Sequence, residues 1–281
     1  MIGIMLTAAC YTVSSIEDKR ITSKLKCTPA EFAFIVSSAT MARIGAAMPF
    51  IGWGFVFSMH NCLILLALAA AKIIEFYTSA ILLKTVSAYE LKAWLGINIV
   101  CSYYYNAING VYAWNPWVIL FSILLFIGIA MIVSGQNVSR KERRYSRWVL
   151  CLLFLLFIGS KFLYGLMFGL MTHGCEATSV LFIVMLLTAF IQLSKIQIRD
   201  VTGRKGITGA VVSRIPNAAG LILEVFVAMQ DVFLYAMIQP VQLAVLFLFS
   251  IVKKEPMGGR KLAGSILCLL SVCVITFLIF K

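Results

Sequence analysis

Long apolar runs, cut at intervals by clusters of charge, Pro and Gly, dominate the chain. A helix needs roughly 20 apolar residues to cross the hydrocarbon core of a bilayer. On that length the pattern predicts ten spans, near 1–16, 29–50, 61–83, 86–106, 115–135, 147–170, 176–194, 207–228, 231–252 and 261–280. The runs are continuous rather than alternating, which predicts helices and not the strands of a barrel. No basic segment precedes the first run, so it reads as a retained, short first span rather than a secretory signal.

Composition agrees with that reading. Of 281 residues, 62% are apolar or aromatic and 12% charged, and the mean hydropathy is +0.98. A soluble domain averages about 25% charged residues. Eight cysteines contain no C-x-x-C pair and lie mostly inside apolar runs, where they read as packing residues rather than a disulfide frame or metal site.

The formal charge of +13 would suit nucleic acid, but its placement points to a membrane surface. Lys19, Arg20, Lys24 and Lys26 lie in the first loop, and Arg140, Lys141, Arg143, Arg144 and Arg147 in the fifth. Lys195, Arg199, Arg204 and Lys205 lie in the seventh, and Lys253, Lys254, Arg260 and Lys261 in the ninth. The second, fourth, sixth and eighth connections hold no Lys or Arg. The positive-inside rule therefore puts the odd loops in the cytoplasm and both termini outside. Tyr103, Tyr104, Tyr105, Tyr112, Trp114, Trp117 and Trp148 fall at expected interfaces, as an aromatic belt does.

The two halves resemble each other. IEFYTSAILLKTVSAYEL, around the third and fourth spans, aligns without gaps on LEVFVAMQDVFLYAMIQP, around the eighth and ninth. Glu75 then matches Glu224, and Glu90 matches Gln239. Residues 123–132 align similarly with 266–275. Five spans per half force the halves into opposite orientations, which is an inverted repeat of 1–138 and 139–281.

The stretch QPVQLAVLFLFSIVKKEPMGGRKLAGSILCLLSVCVI, 239–275, resembles the last two helices of the drug/metabolite transporter (DMT) superfamily, the EamA-like proteins. Pro240 in the ninth helix, Glu255 in the short loop and Gly264 in the tenth helix occupy that family's pattern. Arg43 resembles a basic residue of the second helix, and residues 77–80 resemble the third-to-fourth helix region. The first half departs by lacking an acidic loop after its fourth helix, and many relatives keep both termini in the cytoplasm. The resemblance implies an all-α polytopic fold of ten helices and a secondary transporter or exchanger. Relatives move amino acids, organic cations, nucleotide sugars, choline and other metabolites.

Ionised side chains inside a bilayer are costly and face protein or water, so each is a functional candidate. Glu75 lies in the third span, three residues after Lys72, close enough to pair on one helix face. Glu75 and Glu224 are the candidates for proton or ion coupling. Glu90, Trp94, Tyr104, Lys161, Gln239 and Gln242 complete the cavity candidates, the two glutamines because they flank Pro240. Arg43 and Arg214 read as holders of structural ion pairs, and Asp231 as interfacial.

No H-E-x-x-H, G-x-S-x-G, buried aspartate pair or P-loop is present, so an enzyme and an ATP-driven pump are not expected. A channel would need a filter-like loop. The expected function is secondary transport of a small polar metabolite by alternating access about a central cavity. An amino acid or related zwitterion is the first expectation, and choline-like cations or a lipid-linked substrate are the alternatives. No cofactor, metal or nucleic acid is expected. The partners are the bilayer and the solute, monomer and homodimer stay open, and a bacterial plasma membrane is the expected location.

Overall fold

The computed structural model describes residues 2–23, 25–134, 146–171, 175–197, 207–212, 214–230, 232–252 and 258–280. Among these residues all regular structure is helical: α1 (Ile2–Ser23), α2 (Pro29–Ile51), α3 (Met59–Leu82), α4 (Ala88–Leu95), α5 (Ile97–Ile108), α6 (Pro116–Ser134), α7 (Arg147–Gly169), α8 (Ala177–Leu193), α9 (Ile207–Val212), α10 (Ile215–Gln230), α11 (Val232–Val252) and α12 (Gly259–Phe280). Four of them are long and apolar enough to cross a bilayer, at Pro29–Phe50, Met59–Leu82, Trp148–Gly169 and Gly259–Ile279. The chain therefore has the makings of a helical membrane protein. Its outer surface agrees, because Leu63, Leu66, Leu152, Leu155 and Phe277 are all exposed. Much of the basic fifth, seventh and ninth loops, with Glu255, Asp231 and His173, lies outside the described residues.

Local chemistry sets the helix starts. Pro29 opens α2 behind a capping box in which Thr28 Oγ1 accepts from the Glu31 N–H and Glu31 accepts from the Thr28 N–H. Ser87 and Glu90 form the same box at α4. Ser58 and Ser146 cap α3 and α7. At Gly96 the ladder tightens: the Gly96 N–H donates to Ala93 O at 3.1 Å, and the Ile99 N–H to Gly96 O at 3.3 Å. Bonds of this i to i−3 kind mark one 3₁₀ turn and break one expected span into α4 and α5.

Packing pairs α6 with α12, α3 with α7, α2 with α8 and α1 with α10, while α11 lies along α1, α4 and α5. At one end, the segment after α2 is tied to the α7–α8 connection. The Glu176 N–H donates to Gly54 O at 2.8 Å, the Gly54 N–H to Ser179 Oγ at 3.0 Å, and Asn61 Nδ2 to Val56 O at 2.9 Å. At the other end, Lys19 donates to the carbonyls of Leu83 and Val86 in the α3–α4 turn, and Lys261 pairs with Glu90 at 2.7 Å.

Candidate functional site

The site is assembled from single faces of several helices. On α1, Tyr11, Ser14, Ser15 and Asp18 stand at i, i+3, i+4 and i+7, one stripe of a 3.6-residue period. On α7, Phe157, Lys161 and Tyr164 follow the same rule, and on α10 so do Asn217, Leu221 and Glu224. On α3, Lys72, Glu75, Phe76 and Ser79 share a face. These stripes converge with Phe32 and Val36 of α2 and Lys92 of α4 around a cavity of about 640 Å³, its mouth included.

Four charges, three buried and Glu75 nearly so, form a chain along and behind the cavity wall. Lys72 Nζ donates to Glu75 Oε2 at 2.8 Å. Lys161 Nζ lies 3.5 Å from Glu75 Oε1 and donates to Glu224 Oε1 at 2.6 Å. The two ammoniums and two carboxylates alternate, so each charge faces its opposite, the arrangement that makes burial of ions tolerable. Aromatic rings complete the ammonium surroundings. Lys72 Nζ sits 3.9 Å from the Tyr164 ring centroid, and Lys161 Nζ sits 5.5 Å from that of Tyr11. The Tyr235 hydroxyl donates to Lys161 O at 3.1 Å. Gly165 makes room for that tyrosine, since a Cβ there would lie 2.5 Å from the Tyr235 ring.

A second polar chain runs beside the first along α1. Arg214, fully buried, donates to Asp18 Oδ1 at 2.5 Å and lies 3.4 Å from Ser14 Oγ. Ser14 donates to Asn217 Oδ1 at 2.9 Å, and Asn217 Nδ2 donates to Thr40 Oγ1 at 3.1 Å. The ion-pair expectation for Arg214 is thereby met, with Asp18 as partner.

Of the residues singled out from sequence, Glu75 and Lys161 line the cavity and Glu224 stands directly behind it. Gln242 is buried one layer back, where Nε2 donates to Ser15 Oγ at 2.8 Å. It supports the wall rather than forming it. Gln239 lies in α11, but its side chain is outside the described atoms.

Three candidates are placed elsewhere. Glu90 points to its own helix start and to Lys261, because a carboxylate three residues after a cap serine is drawn to the free N–H groups there. Trp94 stacks on Phe154 at 4.3 Å in a separate apolar cluster with Leu82 and Leu95. Tyr104 packs between Tyr103 and Trp114 at the α5–α6 corner. That corner is fastened by Tyr103, whose hydroxyl donates to Ala113 O at 2.9 Å and accepts from the Asn115 N–H at 2.8 Å.

The α1 stripe, Lys92 and Asn217 escaped the sequence reading. The stripe is made largely of hydroxyls, which do not stand out from apolar neighbours as deep charges do, and only its helical spacing gives it away. Among the described residues no group of three His, Cys, Asp or Glu is placed to hold a metal. No protein-family model matches the chain, and neither does any curated protein.

Proposed function

We propose that the chain is a ten-span secondary transporter of a small polar organic solute, working by alternating access about this cavity. The observation that carries the reading is the chain Lys72–Glu75–Lys161–Glu224 beside an internal polar cavity. Buried ions cost stability that apolar packing would not, so a chain of them in a membrane bundle is retained for work.

The five-plus-five organisation, 1–138 and 139–281, is part of the same proposal. Exchanging the halves carries the α1–α10 pair onto α7–α3, and carries α2–α8 and α6–α12 onto themselves, which is how the helices pair. Lys161 belongs to the second half and holds Glu75 of the first and Glu224 of its own. Rocking of one half against the other would change the sharing of that ammonium, and proton or ion coupling would act through the same two carboxylates. The cavity reaches Asp18, Leu83 and Ala88, near the ends that border basic loops, while the opposite end is tied at Gly54 and Ser179. In this reading the conformation faces the cytoplasm. The sequence resemblance to the EamA-like transporters supports the same class.

Thermal unfolding of the purified protein in detergent tests it, against amino acids, amines, choline, nucleotide sugars and lipid headgroups. A specific solute at a hundred times its Kd stabilises the native state by about 2.7 kcal/mol. A shift from one soluble class, abolished by Glu75→Gln, is the expected result. Response to lipid headgroups alone would overturn the soluble-solute reading in favour of a lipid-linked substrate.

A further inference from the structure

Resting on the transport reading, we infer that the solute carries an anionic group, a carboxylate or phosphate, and that Lys92 of α4 is its receptor. The argument is one of charge balance around the cavity. Among the described residues three ammoniums, Lys72, Lys92 and Lys161, line it against two carboxylates, Asp18 and Glu75. Glu224 behind the wall adds a third carboxylate, but Arg214 adds a fourth cation.

The carboxylates are already engaged. Arg214 holds Asp18 at 2.5 Å, Lys72 holds Glu75 at 2.8 Å, and Lys161 is shared between Glu75 and Glu224. Among the described residues the Lys92 ammonium makes no ion pair within 4.0 Å and no hydrogen bond, while Asp18 and Glu75 of the same lining are each held by another cation. Nε and Nη2 of buried Arg214, close to the same polar chain, also have no hydrogen-bond partner among the described residues. Counted over the described residues the cavity is one negative charge short, and an ammonium in its wall is completed by an anion.

The rest of the lining fits an organic body on that anion. Phe32, Phe76, Phe157 and Leu221 give an apolar side to the cavity, and the hydroxyls of Ser14 and Ser79 a polar one. A quaternary amine such as choline would meet a surplus of positive charge here. A zwitterion fits only if its carboxylate takes Lys92 and its ammonium reaches Glu75 or Asp18.

The test compares wild type, Lys92→Gln and Lys92→Arg, each purified in detergent and shown to be monodisperse. Thermal stabilisation is titrated with sodium benzoate, sodium phosphate, phenylalanine, choline chloride and short-chain phosphatidylglycerol. The expected result is that benzoate, phosphate or phenylalanine stabilises wild type, that Lys92→Gln weakens that binding about ten- to a hundred-fold, and that Lys92→Arg restores most of it. Stabilisation by choline alone, undiminished in Lys92→Gln, would overturn the anion inference and leave the transport reading standing. Anion binding that Lys92→Gln leaves unchanged would overturn the assignment to Lys92. Response to phosphatidylglycerol alone would overturn the soluble-solute reading, and its survival in Lys92→Gln would overturn the anion assignment as well.

Discussion

The α6–α12 seam and the cavity wall are buried in the same bundle but are built from opposite materials. Along α6 the buried residues Val118, Ser122, Leu125, Ile129 and Ile132 follow spacings of four and three. On α12, Ser265, Cys268, Val272 and Ile275 do likewise. This is the pattern of side chains interlocking between two helices. At the crossing a Cβ on Gly264 would lie 2.7 Å from Gly128 O, and one on Gly128 would lie 2.9 Å from Gly264 O. The backbones approach because neither residue has a side chain, as small residues allow in membranes. The cavity wall instead holds its helices by ion pairs around open space. One region leaves nothing to move, and the other leaves charges that can change partners.

The comparison breaks most visibly at Lys161. Lys161→Leu leaves Glu224 buried without its cation, and stranding a buried charge costs about 3–5 kcal/mol. Solute transport should fall below detection in the same variant. Adding Glu224→Leu removes the stranded charge, and replacing a whole buried pair by apolar residues is often neutral or stabilising. The double variant should therefore regain most of the thermal stability and none of the transport, read by unfolding in detergent and by uptake into proteoliposomes. Recovery of both together would mean that the ion chain is a structural tie like any other, and the contrast with the seam would vanish.

At the seam the expected effect is smaller and of the opposite kind. Gly264→Val forces branched carbons against Gly128 O and Met131 Cβ, and overpacking of this sort costs about 1–3 kcal/mol. Solute affinity of the protein that still folds should stay within about twofold of wild type, since none of the described seam residues lines the cavity. A large loss of affinity at unchanged stability would show that the seam takes part in the working motion.

The sequence carried the helical class and the deep charges well, because both are set by the solvent. Apolar runs must be helical in lipid, and Lys72, Glu75, Lys161 and Glu224 stand out against apolar neighbours in any window. Which charges meet was less legible. Lys72 and Glu75 share a helix turn and could be paired from spacing alone. Lys161 and Glu224 are 63 residues apart and meet only through the packing of α7 on α10. Trp94 and Tyr104, which the structure sets away from this cavity, are hard to place for the same reason. Aromatic and amphipathic residues suit a cavity, an interface or a neighbouring ring equally well, and only the fold chooses.

The smallest predicted effect tests the boundary between site and scaffold. Glu90 is buried and Glu75 mostly so, both lie toward the basic-loop end, and both have a lysine partner within 2.8 Å. They differ in what surrounds them. Glu90 is held by the Ser87 N–H at the start of α4 and by Lys261, away from the cavity, whereas Glu75 lies on its wall. An amide at position 90 keeps an acceptor for the cap, since Gln serves at this place in a capping box as Glu does. What Glu90→Gln removes is the negative charge facing Lys261, a lysine that keeps some access to water, so the cost should fall below the about 3–5 kcal/mol of stranding a fully buried charge. Transport by Glu90→Gln should therefore match wild type, while Glu75→Gln loses it. A tenfold fall in uptake by Glu90→Gln at unchanged melting temperature would put Glu90 back in the transport machinery. The Lys261–Glu90 pair would then be a contact that opens and closes rather than a fixed end of α4.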